Sequence, residues 1–217
     1  MADEERPGAQ LWVPDKHTVS ALREAAPDCR GCELWKNATQ VVFGVGSPRA
    51  RLMLVGEQPG DREDREGEPF IGPAARVLDD ALDAAGIDRD DVYLTNAVKH
   101  FRFSPASRGK RRIHEKPAVA HIEACHPWLA AELDAVTPRL VVALGATAAR
   151  SLLGRTVRIT AERGHVIEGP ATHAGEPTRV LVTTHPSALL RLKGHGGWDE
   201  AFDAFVADLE AARAHLG

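Results

Sequence analysis

The sequence predicts an α/β fold: a three-layer α/β/α arrangement around a central four-stranded, mostly parallel sheet. Two observations carry this. Four short segments are apolar and rich in branched side chains throughout, the pattern of strands buried on both faces. Helical patterns separate most of them, and strands alternating with helices give parallel pairs joined by crossovers. The 217 residues suffice for one sizeable core. One domain over 1–217 is expected, with 1–16 a poorly packed N-terminal segment.

The elements follow in order. A first helix over roughly 18–26 leads into Cys29, and the first strand is RLMLVG, 51–56. The segment 72–86 places Ala75, Leu78, Leu82 and Ala85 at helical spacing, with Pro73 near its start and Gly86 as its stop. The second strand is DVYLTNAV, 91–98. A helix over 117–136 carries Ile122, Cys125, Leu129 and Leu133 on one face, and Pro127 is expected to kink or split it. The strand RLVVALG, 139–145, runs into a short helix closed by Gly154. The loop 168–178 reads as a plain surface connection, RVLVTTH (179–185) is the fourth strand, and 198–216 is an amphipathic helix.

Net charge is −4 and 43% of residues are hydrophobic, so the chain as a whole is not basic. Any nucleic-acid contact must come from a local patch, and the region from Lys99 to Lys116 is strongly positive. No apolar run approaches membrane-span length, and the acidic start MADEERPGAQ does not resemble a secretory signal. A cytoplasmic location is expected. No phosphate-loop motif or magnesium-binding carboxylate cluster is present, which disfavours a nucleotide hydrolase.

In open α/β sheets, ligands bind outside the carboxyl ends of the strands. The unusual residues fall there. GEQPGD (56–61) leaves the first strand, and Gly60 lets backbone amides approach a ligand. Glu57 at that strand end can orient or deprotonate a nucleophile, or can be a simple exposed glutamate. Phe70, in a Gly/Pro-rich loop, can stack on a nucleobase or anchor its loop. Asn96 carries a donor and an acceptor and can read a pyrimidine edge, or be a satisfied structural amide. His185 can donate to charge on a leaving group, although a lone histidine is more often structural. Ser187 can cap a helix, bind phosphate, or do both. Leu189 and Leu190 read better as core than as a wedge between bases. Cys29, Cys32, Cys125 and His100 form a Cys3His set fit for zinc or an iron–sulfur cluster, with unrelated cysteines as the alternative.

The stretches GEQPGDREDREGEPFIGPA, TNAVKHFRF, CRGC, EACHPWL and THPSALLR together resemble the family 4 uracil-DNA glycosylases, in that family's order. Three departures stand out: Gln58 where the family has alanine, His100 where it has cysteine, and a basic insertion ending in KRRIH (110–114). All three are similar to the UdgX branch, whose members stay covalently attached to uracil-containing DNA through that histidine.

The resemblance implies a [4Fe–4S] cluster held by Cys29, Cys32, His100 and Cys125. It implies that Phe70 stacks on uracil, that Asn96 meets its polar edge, and that Gln58, Gly60, Asp61 and His185 complete the pocket. Asp64 is a further candidate. His114 becomes the nucleophile toward the sugar, with Glu57 activating it. Lys110, Arg111 and Arg112 would hold DNA phosphates, with Ser187 and Arg191 as further contacts and Ile113 packing the loop onto the body. The expected substrate is uracil in DNA, preferentially single-stranded, bound by a monomer without nucleotide cofactor. The alternatives are a multiple-turnover family 4 glycosylase and a non-catalytic, zinc-stabilised nucleic-acid-binding module.

Overall fold

A computed structural model describes residues 6–105, 112–171 and 177–217. Helix α1 (Val19–Ala25) starts at Thr18, whose hydroxyl accepts the Ala21 N–H at 3.3 Å. Strand β1 (Leu52–Gly56) is followed by α2 (Asp61–Glu66) and α3 (Pro73–Ala84). Then come β2 (Val92–Asn96), β3 (Phe103–Pro105), β4 (Arg112–His114) and α4 (Val119–Val136). The chain closes with β5 (Leu140–Leu144), α5 (Ala146–Leu153), α6 (Ile159–Glu162), β6 (Val166–Ala171), β7 (Pro177–Thr183), α7 (Pro186–Leu190) and α8 (Trp198–Ala214).

The central sheet has the order β2-β1-β5-β7-β6. The first four strands are parallel, and β6 runs antiparallel to β7 at the edge. Successive side chains point to opposite faces, which divides the core into two layers. Met53, Val55, Tyr93, Val141, Ala143 and Val182 pack with Leu22 of α1, Trp128 and Leu129 of α4 and Leu152 of α5. Leu52, Leu54, Leu94, Val142, Leu144 and Leu181 pack with Leu78 and Leu82 of α3 and Phe205 and Leu209 of α8. Each fully buried valine, leucine, methionine or phenylalanine among them contributes about 1.5–3 kcal/mol of transfer free energy.

The sheet has five strands, not four. The start of the 168–178 stretch expected to be a plain loop belongs to β6, which pairs Ile167 with Val180 and Glu168 with Arg179. Gly169 and Pro170 hid it, because a proline is tolerated only on an edge strand of this kind. Helix α4 runs unbroken through Pro127, which was expected to kink or split it, so it is not split. The carbonyl that loses its partner belongs to Glu123, an exposed residue where water can serve it. Residues 8–12 are not loose: the Gly8 N–H donates to Gly31 O at 3.0 Å and Ala9 is buried.

A second, two-stranded sheet joins β3 and β4, pairing Phe103 with His114, Ser104 with Ile113 and Pro105 with Arg112. The basic stretch therefore returns along a hairpin base that its sequence, without periodicity, did not announce. Residues 106–111, which include Lys110 and Arg111, lie outside the described residues. Among the described residues, no helix is long and apolar enough to cross a membrane.

Candidate active site

The carboxyl ends of β1, β2, β5 and β7 open into a cavity of about 760 Å³. Its lining includes Glu57, Gln58, Gly60, Phe70, Asn96, His114, His185, Ser187 and Arg191. One site thus collects most of the residues selected from sequence, drawn from four strand ends and the hairpin.

Gly56, the last residue of β1, lies against two of these lining residues. A Cβ there would overlap the Asn96 carboxamide and come within 2.8 Å of the Phe70 ring. The missing side chain lets amide and ring approach each other. Phe70 itself sits at φ 55°, an uncommon conformation for a residue with a side chain, and its carbonyl accepts from Arg89 at 3.0 Å. Glu63, which no sequence argument selected, brackets the two glycine loops. It accepts the Gly60 N–H at 3.1 Å and the Gly72 N–H at 2.9 Å. The available signal was a Gly60-x-x-Glu63 spacing before a helix, half of a capping box.

His185 is locked in one tautomer. Its Nδ1 accepts the Ser187 N–H at 3.1 Å, so the proton resides on Nε2. Burial, with smaller contributions from His114 and Arg191, pulls its pKa down to about 4. The ring is a neutral donor. The cap of α7 is therefore His185 rather than Ser187.

His114 is held from the side of Glu57 and Gln58. The Gln58 carboxamide is oriented by backbone: Oε1 accepts the Arg102 N–H at 3.0 Å, and Nε2 donates to Glu115 O at 3.0 Å and Arg102 O at 3.2 Å. The same Nε2 lies 2.9 Å from His114 Nε2, which must then be the acceptor. His114 Nε2 carries a lone pair, with the proton on Nδ1. Two hydrogens on Gln58 Nε2 meet three acceptors, so this contact is easily given up. Glu57 Oε1 stands 3.6 Å from the same Nε2. Glu57 thus sits beside the lone-pair nitrogen. Its other oxygen accepts from the Thr147 hydroxyl.

Arg112 does not reach outward to phosphates. Its side chain is 13% exposed and forms ion pairs with Asp61 and with Asp64, at 2.6 Å to the latter. It also lies over the rings of Phe103 at 4.9 Å and Phe101 at 5.3 Å. Asp61 is consequently turned to Arg112 and Arg65 rather than into the cavity. Burial opposes its charge, but the hydrogen bonds from Arg112 and Arg65 outweigh this and hold its pKa low. Asp64 is fully buried and also accepts the Thr39 N–H at 3.0 Å. Ile113, expected to pin the loop down, is 49% exposed. The pin is Arg112. Leu189 belongs to the core, while Leu190, Lys116 and Arg191 line the cavity, the two cations being exposed.

The candidate metal ligands lie outside the cavity lining, with Cys29, Cys32 and Cys125 in one core layer. Cys29, Cys32, His100 and Cys125 are all buried. Cys29 Sγ accepts the Trp128 indole N–H at 3.2 Å, and Cys125 Sγ accepts the Lys99 N–H at 3.3 Å. Burial pushes Cys32 up to about 11 and Cys125 up to about 12, and pulls His100 down to about 4. Beside it, Lys99 and Glu132 form a buried ion pair. Lys99 Nζ also donates to Asn96 O at 2.8 Å, while Tyr93 and Thr95 donate to Glu132 at 3.0 and 2.9 Å.

The comparisons agree with this geometry. A family model described as the uracil DNA glycosylase superfamily matches residues 43–210. A type-4 uracil-DNA glycosylase of Thermotoga maritima is 34% identical, covering 91% of this chain and 94% of its own length. The type-4 enzyme of Archaeoglobus fulgidus is 34% identical over 75% of this chain and 78% of its own. A type-5 enzyme of Pyrobaculum aerophilum is 34% identical over 78% of this chain and 75% of its own. Fold, strand-end cavity and sequence similarity all lead to one conclusion, that the chain belongs to the uracil-DNA glycosylase superfamily.

Proposed function

We propose that the chain excises uracil from DNA, preferentially single-stranded, and is then captured by a bond between His114 and C1′ of the deoxyribose. The observation that carries this reading is the lone pair on His114 Nε2, held at the cavity by Gln58 and flanked by the Glu57 carboxylate 3.6 Å away.

The target base leaves its stack and enters the cavity, most easily from a single strand. Phe70 stacks on it and the Asn96 carboxamide meets its polar edge. The bond from C1′ to the base breaks and its electron pair leaves with uracil. His185 Nε2–H donates to the anion that forms; a neutral donor in a partly desolvated site suits this task. Positive charge builds on the sugar beside Glu57. Nε2 of His114 leaves Gln58 and gives its lone pair to C1′. The positive charge then rests on the alkylated imidazole, and the Nδ1 proton can pass to water. An N-alkylated imidazole is a poor leaving group, so each molecule reacts once.

The buried Cys3His set fits a [4Fe–4S] cluster. The sulfurs of Cys29 and Cys125 already accept N–H groups. Burial disfavours bare thiolates here, which a bound cationic group reverses. Among the described residues, no group of three or more His, Cys, Asp or Glu side chains is placed to hold a metal ion, so the reading rests on the residue types and their burial. The cluster, when bound, would supply iron–thiolate bonds that tie the N-terminal loop, the end of β2 and α4 together.

A conventional multiple-turnover type-4 enzyme is the second reading, and the names of the relatives favour it. One experiment separates the two. The protein is incubated with an excess of uracil-containing single-stranded oligonucleotide and boiled in denaturant. Capture gives a shifted band that His114→Ala abolishes. Free uracil in excess over protein, with no shifted band, supports the conventional enzyme.

A further inference from the structure

We infer that Thr147 is a positioning residue that aims Glu57 at His114; this rests on the capture reading above. Thr147 lies in the first turn of α5 with only 3% of its surface exposed. Its hydroxyl donates to Glu57 Oε2, while Oε1 faces His114 Nε2 at 3.6 Å. The two carboxylate oxygens are thereby given separate tasks, one anchored and one presented.

The anchor is itself fixed. Gly145, which precedes α5, sits at φ 88° and its N–H donates to Thr183 O at 2.9 Å. A Cβ at this glycine would come 3.0 Å from the His185 Cβ, so the turn packs directly on that residue. One strand-to-helix turn therefore anchors Glu57 and packs on His185, the two groups assigned above to the sugar and to the departing base. A glutamate has three rotatable bonds, and nothing else described holds its Oε2. Without the hydroxyl, Oε1 is no longer kept beside Nε2 while positive charge develops there. Water then competes with the imidazole for C1′.

The test measures partition rather than rate alone. Wild type, Thr147→Val and Thr147→Ser are each mixed in excess with a labelled uracil oligonucleotide. Boiling-resistant adduct and released uracil are quantified together. The valine keeps the shape and removes the donor; the serine keeps the donor. Valine should lower the fraction of excision events ending in adduct by about tenfold or more, the effect of losing a hydrogen bond to a charged group. Serine should stay within about twofold of wild type by the same argument. A valine variant with unchanged partition overturns the inference, even if its total activity falls. So does a serine variant that behaves like valine. If the valine variant is insoluble, Thr147→Ala removes the same hydroxyl and is judged by the same ratio. A wild type that excises uracil without any adduct overturns the capture reading, and Thr147's role in capture with it. A wild-type adduct with indifferent variants overturns Thr147 alone.

Discussion

Arg112→Met isolates what holds the histidine arm in place. Methionine keeps an apolar stem over Phe101 and Phe103 and removes every donor. Two ion pairs are lost, and they differ. Asp61 is 44% exposed at its side chain, so its pair is worth no more than about 1 kcal/mol. Asp64 is fully buried, and removing the partner of a buried charge costs about 3–5 kcal/mol. The Thr39 N–H remains on Asp64 and moderates the loss. A net weakening of about 3 kcal/mol in the docking of the β3–β4 hairpin is roughly a 100-fold change in its docked population. Capture by His114 should then slow by about 10- to 100-fold, the lower value applying if docking has stability in reserve. Uracil release should change far less, because Phe70, Asn96 and His185 belong to the loops and strand ends around the central sheet and not to the arm. Single-turnover time courses of the boiling-resistant band, with uracil release measured in parallel, give both numbers. Capture at the wild-type rate would refute the idea that Arg112 is the pin.

Two further outcomes are expected. Lys99→Met strands the buried Glu132 carboxylate and should cost about 3 kcal/mol or more, lowering Tm by roughly 6–12 °C. Lys99→Met combined with Glu132→Leu should recover part of that loss in the same thermal melts, and a double variant worse than the single one would count against the pair. The depressed pKa of His185 sets a pH dependence. The folded ring stays neutral down to about pH 4, while the unfolded ring takes up a proton below about 6.5. Its contribution, about 3 kcal/mol, is complete above the unfolded value and lost as pH falls through this window. Denaturant titrations between pH 7 and pH 4 should show that slope, and His185→Asn should reduce it, leaving the share that the similarly depressed His100 contributes.

The sheet was legible because its parallel strands are buried on both faces and so read as apolar, branched runs with few polar residues. The same property located the site: Glu57, Asn96 and His185 were conspicuous because each interrupts an apolar run at its carboxyl end. What escaped was whatever depends on partners distant in sequence. The fate of Arg112 is decided by Asp64, 48 residues earlier, and no local pattern distinguishes that arginine from a solvated one. Ile113 looked like an anchor because it is apolar, yet its pairing with Ser104 leaves it outward. Thr147 drew no notice because a threonine in the first turn of a helix is ordinary until a glutamate 90 residues away meets it. The edge strand β6 was lost to Gly169 and Pro170, which punctuate a loop and an edge equally well.

The pairing of Arg112 with Asp61 and Asp64 has a consequence for transplantation. The histidine arm and the socket that receives it are encoded in two separate stretches, 61–64 and 112–114. An evolving or engineered glycosylase that acquired only the basic segment would gain a swinging reagent without an address. Arm and socket are a two-part inheritance, and the aspartates give the histidine its direction.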